Sequence, residues 1–507
     1  MVVLLNVYNV KNIVKKHIYI FTGLLIAFMY LLINGLNMQS NTFFIEKLMV
    51  STILFVIYFF KKKYDKGNFT HKDFITCIII IGFIMRIGYM LYTPCNVRGH
   101  DVGNLNLDSY GHASYILNII QNHKLPNSNV GQFYQQPLFY LLSSLVSNII
   151  NTILGRNDSF YLVDAAKTVS CFASCSILIL SLRIFEELDM KCTGKKIAMV
   201  LIAFLPNFYL MGGRVNSDAL ATFFMTAAIL YTLKWNKNIS WKNTLILAVI
   251  FGCAVMTKIS CGIIAVFTAS IMIHKLYKMC KEHNAKEILI KLICFACISL
   301  PLGLWYSARN FILFKQAFMY VPKPSMNSGL YCGDHSLFER FILISFKNLF
   351  SSPYANPFND YNYPAYLIKG AAFGEFKFNN HGFIPIMLLF FTMIIAAILM
   401  ISIVYVYMRS NAKIIIKYGL LLLFLLIYLS SIRFNISYPF GCTMDFRYIA
   451  VSYIIGTVFI GLTYEEIKTN IGRYKENSTS LESWFLSFVN ITLALFSIFS
   501  LIFYLSI

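Results

Sequence analysis

Long runs of apolar residues alternate with short polar segments along most of the 507-residue chain. An apolar run of about 17–25 residues is long enough for one α-helix to cross the hydrocarbon core of a membrane. Such runs, some of them short, predict spans at residues 18–36, 43–60, 73–92, 162–184, 197–212, 217–234, 244–257, 260–275, 288–307, 384–407, 414–432, 447–464 and 484–506. The expected fold is therefore an all-α polytopic membrane protein with about 13 transmembrane helices.

Basic residues are grouped in the short segments between these runs, as in Lys61-Lys62-Lys63 and Lys195-Lys196. Cytoplasmic loops of membrane proteins are enriched in Lys and Arg, so these segments are placed inside. The remaining apolar segment, 137–153, is placed along the outer surface, because only then do all short basic loops fall on one side. This assignment predicts a cytoplasmic N-terminus and an external C-terminus.

Two large segments then lie outside, and both are rich in Tyr, Phe, Asn and Pro. In the first of them, 109–122 has apolar residues at helical spacing and 137–153 is apolar with interspersed Ser and Asn, which is typical of helices in the membrane interface. Because loops of this length are usually functional, we expect the chemistry to lie there. The predicted divisions are N-terminal spans, first outer loop, central spans, second outer loop and C-terminal spans, at 1–92, 93–161, 162–307, 308–383 and 384–507.

Composition narrows the class of protein further. The chain is 58% hydrophobic and only 13% charged, which excludes a soluble enzyme. The net charge of +21 does not indicate nucleic-acid binding, because the basic residues are dispersed between spans rather than clustered on one element. The Ile-, Lys- and Asn-rich composition favours a bacterial plasma membrane. Of the cysteines, only Cys95, Cys332 and Cys442 fall in the outer segments, which permits at most one disulfide there.

The first outer segment contains the candidates for acid–base chemistry, in the stretch RGHDVGNLNLDSYGHASY. Asp101 and Asp108 follow a span closely, and either carboxylate could act as a general base at the membrane face. The alternative for Asp108 is a structural one, as the N-cap of a helix that begins near Ser109. His100, Tyr110 and His112 are candidate hydrogen-bond donors to a substrate. Asp101 and Asp108 are also the pair that could share a divalent metal ion.

Residues of this loop resemble those of the GT-C glycosyltransferases, closest to the family 39 protein mannosyltransferases and the bacterial aminoarabinose transferases. The likeness rests on Asp108 after an early span, on His112 in a short helix, and on the run Gln135-Gln136-Pro137-Leu138-Phe139-Tyr140. Two positions depart from the family pattern, since Ser109 replaces a Glu and Gln136 precedes a single Pro.

Further resemblances follow in the family's order along the chain. Pro206 with Arg214-Val215-Asn216-Ser217-Asp218 resembles the second outer turn, and Met256-Thr257-Lys258 resembles the turn between two brief helices. The segment 305–310 (Trp-Tyr-Ser-Ala-Arg-Asn) resembles the end of the span before the second outer loop. Phe446-Arg447-Tyr448 resembles the basic residue and tyrosine at the outer end of a late span.

The resemblance implies an enzyme that transfers a sugar from a polyprenyl-phosphate donor to a lipid, protein or polysaccharide acceptor at the outer face, with inversion and with an Asp as base. A lipid phosphate leaves, so cations must stabilise its charge. Arg214, Lys258, Arg309, Arg433 and Arg447 all fall at predicted outer ends of spans. The expected catalytic residues are Asp108 and Asp101, and the expected substrate-binding residues are His100, His112, Tyr110, Gln136, Arg214, Asn216, Asp218, Lys258, Arg309, Arg447 and Tyr448.

Two other functions stay open at the level of sequence. A transporter or flippase of a lipid-linked sugar would have paired charges near the bilayer midplane and pseudo-symmetric halves. A structural protein of the cell envelope would tolerate the loss of both acids. Arg86 and Lys167 lie within spans about one or two turns from an outer boundary, so their side chains are expected to extend to the interface rather than to act in catalysis.

Overall fold

The computed structural model describes residues 17–38, 41–97, 102–281, 285–344, 346–350, 360–374, 382–410, 412–473 and 480–506. The α-helices within these ranges are α1 Ile18–Gly35, α2 Thr42–Asp65, α3 His71–Tyr92, α4 His112–Asn122, α5 Leu138–Leu154, α6 Ser159–Asp164, α7 Lys167–Glu187, α8 Cys192–Phe204, α9 Pro206–Met211, α10 Asp218–Lys237, α11 Trp241–Thr257, α12 Ile264–Lys281, α13 Ala285–Phe314, α14 Leu337–Phe341, α15 Phe346–Leu349, α16 Tyr363–Phe373, α17 Phe383–Met408, α18 Leu421–Ser437, α19 Ala450–Arg473 and α20 Ser480–Ser506.

These helices confirm the all-α polytopic fold. Ten helical segments of the described chain are long and apolar enough to cross a membrane, at Ile18–Gly35, Thr42–Asp65, His71–Tyr92, Ser159–Glu187, Ile259–Lys281, Ala285–Phe314, Phe383–Met408, Ile415–Ser437, Ala450–Ile471 and Leu481–Ser506. The other three predicted spans also coincide with helices, but these are shorter or less apolar. The span expected at 197–212 is divided into α8 and α9, because Leu205 is extended and Pro206 starts a new helix.

The helices differ in how deeply they lie in the bundle. The most apolar windows of Ser159–Glu187 and Ala450–Ile471 are 83% and 89% buried, whereas that of Ala285–Phe314 is only 17% buried. Close packing at the centre depends on small residues, because a Cβ on Gly194 of α8 would lie 2.7 Å from the carbonyl oxygen of Gly461 in α19. Because so little of α13 is buried, this 30-residue helix lies at the periphery of the bundle.

The two basic residues within spans do not extend to the interface, so that expectation is wrong. Arg86 is fully buried, and its guanidinium donates to Ser174 Oγ at 3.0 Å and to the carbonyl oxygens of Gly82, Ala203 and Ile202. Lys167 is also fully buried and pairs with Asp164 at 2.7 Å. Both side chains stay inside because protein acceptors satisfy their donors there.

Helices form at both places where the first large loop was expected to contain them. The segments 109–122 and 137–153 correspond to α4 and α5, which pack against each other. The three cysteines of the predicted outer segments, Cys95, Cys332 and Cys442, are all free thiols. The division of the chain into five regions stays a prediction.

Candidate active site

A buried carboxylate lies at the centre of the site. Asp218 is the first residue of α10, where the helix dipole favours a negative charge, and its backbone N–H donates to Asn216 Oδ1 at 3.2 Å. Its Oδ1 forms an ion pair with Lys258, and its Oδ2 lies 3.4 Å from Arg447 Nη1. Three span ends that are remote in sequence thus meet at one point.

Two further charged residues complete this group. The positive charge of Arg214, four residues before Asp218, also acts on the Asp218 carboxylate. Asp445 is buried and its side chain accepts the backbone N–H of Arg447 at 2.9 Å. We call Arg214, Asp218, Lys258, Asp445 and Arg447 the ion cluster. The ion cluster thus brings three basic and two acidic side chains of the described residues together at one end of the bundle.

Tyr448 lies beside two of these cations. Lys258 Nζ is 4.7 Å from the centre of its ring, and the guanidinium carbon of Arg447 is 5.4 Å from it. Burial raises the pKa of Tyr448 above its usual value, so the phenol stays protonated and able to donate a hydrogen bond. The Lys258 side chain keeps 26% of its surface exposed, compared with 9% for Arg447, so Lys258 is the cation most open to a ligand.

The first large loop connects to this site through a chain of hydrogen bonds. His112 Nδ1 lies 2.7 Å from the hydroxyl of Tyr140, which donates to Gln135 Oε1 at 2.9 Å. Ser217 Oγ, beside Asp218, lies 3.5 Å from the same Gln135 oxygen. His112 is buried, so it holds Tyr140 and the loop in place rather than facing solvent.

Asp108 and Tyr110 lie differently in this loop from His112. Asp108 is exposed and lies within a short 3-10 helix, Leu107–Ser109, while Gly111 is the N-cap of α4. The expectation that Asp108 caps the helix is therefore wrong, and its carboxylate faces outward. Tyr110 is also exposed, in the left-handed conformation at φ 54°. Asp101 and His100 lie outside the described residues.

The end of α13 holds the other side of the loop. Gln136 Nε2 donates to Ser307 Oγ at 2.9 Å. Arg309, expected at the phosphate, instead donates through Nη2 to the carbonyl oxygens of Leu125 and Pro126 at 3.2 and 3.4 Å. The amino-acid sequence alone does not distinguish a cation that holds a loop from a cation that binds a ligand.

Trp305 connects the same helix end to the ion cluster. Its indole Nε1–H lies 3.0 Å from the sulfur of Met256, two residues before Lys258. Arg433, the remaining cation of the predicted group, is exposed on α18. The structure thus brings together Arg214, Asp218, Lys258 and Arg447 but gives Arg309 and Arg433 other surroundings.

Helix α16, in the second large loop, contributes residues that sequence reasoning missed. Gly374 ends this helix with φ +57°, and a Cβ there would lie 2.5 Å from Arg214 Nη2. Asn207 Nδ2 donates to the carbonyl oxygen of Gly370 at 2.8 Å, which fixes α16 against α9. A buried ion pair joins Lys369 to Asp360, and burial lowers the pKa of Lys369. No local signal marks these residues, because their partners are distant in sequence.

Asp445 is the other residue that was missed, although a signal for it exists. It stands two residues before Arg447, and its carboxylate caps the 3-10 helix Phe446–Tyr448. A short acidic residue two positions before a basic–aromatic pair at a span end is a recognisable cap. For metals, the described residues contain no group of three His, Cys, Asp or Glu side chains that could hold an ion. The suggested pair includes Asp101, so that suggestion stays untested.

Comparison with known proteins identifies the central part of the chain. Residues 161–305 match the family model described as dolichyl-phosphate-mannose-protein mannosyltransferase. This match confirms, for the central part of the chain, the resemblance to GT-C membrane glycosyltransferases predicted from the sequence. The matched stretch contains Arg214, Asp218 and Lys258 of the ion cluster. No curated protein sequence matches the chain.

Solved structures show distant likenesses. The oligosaccharyltransferase of Archaeoglobus fulgidus, in the apo form, is 12% identical with a TM-score of 0.46, covering 84% of this chain and 56% of the other. The same enzyme tethered to an acceptor peptide with the NVT sequon gives 12% and 0.46, with 84% and 55% covered. ArnT from Cupriavidus metallidurans, in the apo state, gives 12% and 0.34, with 78% of each chain covered. The chain thus spans little more than half the length of the oligosaccharyltransferase chains.

Proposed function

We propose that the protein transfers a sugar from a polyprenyl-phosphate donor to an acceptor at the outer face of a bacterial plasma membrane. The observation that supports this most directly is the ion cluster, which brings three basic side chains together at the end of the bundle and leaves the Lys258 side chain partly exposed. A phosphate on a membrane lipid has the charge and the location to occupy such a site. Arginine suits phosphate because its planar fork donates two hydrogen bonds.

The roles within the ion cluster follow from its geometry. Lys258, the most exposed cation, contacts a phosphate oxygen first, and Arg447 and Arg214 contribute positive charge behind it. Asp218 holds Lys258 and Arg447 in place, which differs from the direct substrate contact expected from the sequence. Asn216 fixes the start of α10, and the protonated Tyr448 donates to the phosphate.

The chemical step is a single displacement at the anomeric carbon. The exposed Asp108, or Asp101 in the same loop, takes the proton from an acceptor hydroxyl or amine as that atom attacks the sugar. The bond from the anomeric carbon to the phosphate oxygen breaks, and its electron pair leaves with the lipid phosphate. The cations of the ion cluster stabilise that charge, and the configuration at the carbon is inverted.

The other predicted ligands of the substrate keep secondary roles in this proposal. Tyr110, exposed beside Asp108, and His100 contact sugar hydroxyls. Gln136, His112 and Arg309 hold the first large loop over the site through the hydrogen bonds described above. The acceptor is a lipid, a protein or a polysaccharide.

Native mass spectrometry of the protein from mild detergent tests the donor. We expect a bound polyprenyl-phosphate sugar, whose mass identifies the sugar. A bound lipid-linked oligosaccharide that is never transferred to an acceptor would favour the flippase instead. Bulk phospholipid alone, with no binding of added polyprenyl phosphate, would contradict the proposed donor.

Substitution of the two acids tests the base. Asp108→Asn or Asp101→Asn should abolish transfer while the co-purified lipid stays bound, because the amide cannot accept the proton. Asp158→Asn is the matched control, since Asp158 is an exposed helix cap and asparagine caps equally well. Full transfer by both loop variants would show that neither acid is the base.

A further inference from the structure

The second large loop exposes a group of apolar side chains to its surroundings. Around α14, Phe338 is 58% exposed and Ile342 is 67% exposed. We call this group the apolar patch, and its members are Leu337, Phe338, Ile342, Leu343, Ile344 and Phe346. A surface that meets only water rarely keeps so many large apolar side chains together.

The opposite side of α14 is fixed to a membrane-spanning helix. Arg340 is buried, and its Nη2 donates to both the backbone oxygen and the side-chain oxygen of Asn435, each at 2.7 Å. Asn435 stands two residues before the end of α18 at Ser437. The apolar patch therefore lies level with the last turn of this span.

A second contact repeats this attachment one turn further into the span. The hydroxyl of Tyr363, the first residue of α16, donates to Ser431 Oγ at 2.7 Å. Ser431 and Asn435 are four residues apart and so share one face of α18. Because two contacts fix the loop to that face, its height relative to the membrane is set by the span itself.

The exposed side of the same span shows what surrounds the apolar patch. Leu429 and Ile436 of α18 are 56% and 47% exposed, as expected for side chains that face lipid. Ile436 is next to Asn435, which holds α14, so the apolar patch continues the lipid-facing surface of α18. The polar residues at the start of α14, Ser336 and Glu339, bond to each other in a capping box.

We infer that the apolar patch is a membrane-contact surface, which inserts into the boundary between headgroups and acyl chains of the adjacent leaflet. The partner is the lipid bilayer, recognised through apolar area rather than through any specific headgroup. This inference goes beyond the proposed glycosyl transfer and does not depend on it. It places α14 at the membrane surface.

Spin-label accessibility tests this inference in the full chain. A nitroxide is attached through an unnatural amino acid, because the chain already contains 12 cysteines, and the protein is placed in phosphatidylcholine–phosphatidylglycerol nanodiscs. Labels at Phe338 and Ile342 are compared with a lipid-facing control at Leu429 and a water-facing control at Asn327, which is exposed in the same loop. Relaxation by oxygen reports lipid, and relaxation by a neutral nickel chelate reports water.

We expect the labels at Phe338 and Ile342 to relax more with oxygen than with the nickel chelate, as at Leu429, and the label at Asn327 to show the reverse. A larger effect of nickel at both patch positions would show that the apolar patch faces water. Poor access of both reagents would show that protein covers it, as in an interface with a second copy. Either result overturns the inference, and the second labelled position guards against a single variant that fails to fold.

Discussion

Two buried ionic networks in this protein have opposite designs. In the first, Asp164 and Lys167 are both completely buried, and every partner is internal. Asp164 accepts from the Tyr30 hydroxyl at 2.9 Å and from the Cys95 backbone N–H at 3.0 Å, while Lys167 donates to two carbonyl oxygens at the end of α3. In the ion cluster, by contrast, the Lys258 side chain stays partly exposed, with 26% of its surface accessible.

The contrast separates a structural network from a candidate ligand site by access to solvent. The pair of Asp164 and Lys167, closed off from solvent, fixes the end of α3 where the first large loop begins. In the ion cluster, the partly exposed Lys258 offers an ammonium group that a ligand can reach. The transporter alternative predicted paired charges near the bilayer midplane, but the Asp164–Lys167 pair holds backbone at a helix end instead.

The largest expected effect comes from breaking the closed pair. Asp164→Asn leaves the Lys167 ammonium buried without its counter-charge, which should lower the free energy of unfolding by about 3–5 kcal/mol. Denaturant unfolding in mixed micelles measures this loss. Asp158→Asn serves again as the control from the same short helix, and an unchanged stability of the Asp164 variant would contradict the structural role.

Removal of a cation from the ion cluster should affect binding more than folding. Arg447→Ala loses charge-assisted hydrogen bonds worth about 1.5–3 kcal/mol, which lowers the affinity for polyprenyl phosphate by about ten- to a hundredfold. Titration of purified protein with polyprenyl phosphate measures the change. Arg433→Ala, an exposed cation on α18, is the matched control and should bind normally. Equal affinities in the two variants would remove Arg447 from the phosphate site.

The smallest effect is expected where backbone touches the ion cluster without taking part in it. Gly374→Ala places a methyl group against Arg214 Nη2 and should weaken polyprenyl-phosphate binding several-fold by displacing that guanidinium. Gly155→Ala is the control, because Gly155 has a similar φ of +66° but open space around it. Gly155→Ala should lose about 1 kcal/mol of stability from the left-handed conformation. Gly374 combines its positive φ with ψ −125°, outside that conformation, so Gly374→Ala should lose more stability than the control. The same affinity in both would show that Arg214 tolerates displacement.

Sequence periodicity was enough for the helices and for part of the site. Every predicted span but the one at 197–212, which is divided at Leu205, coincides with one helical segment, because a long apolar run has few other ways to satisfy its backbone in a membrane. The sequence predicted that three basic residues, Arg214, Lys258 and Arg447, lie on the same side of the membrane, because alternate ends of successive spans lie on one side. Their convergence on Asp218 followed from packing that no local pattern contains.

The errors also have a physical origin. Lys167 was expected at the interface because its acceptors, the carbonyl oxygens of Met90 and Thr93, belong to a different helix. Arg309 stays a predicted phosphate ligand, and its contacts with the carbonyl oxygens of Leu125 and Pro126 were not foreseen, because a loop carbonyl and a ligand oxygen offer a guanidinium the same acceptor. In both cases the sequence shows that the side chain is a hydrogen-bond donor with a positive charge, but the identity of its partner depends on tertiary contacts.

The length of α13 has a consequence for the site it supports. Thirty helical residues extend about 45 Å, whereas the hydrocarbon core is only about 30 Å thick. The final turns hold the first large loop through Ser307 and Arg309. They therefore extend beyond the acyl chains unless the whole helix tilts. Hydrophobic mismatch then changes the height of that loop above the lipid. The thickness of the bilayer, and hence the length of its acyl chains, therefore determines the distance between the loop and the leaflet that contains its donor.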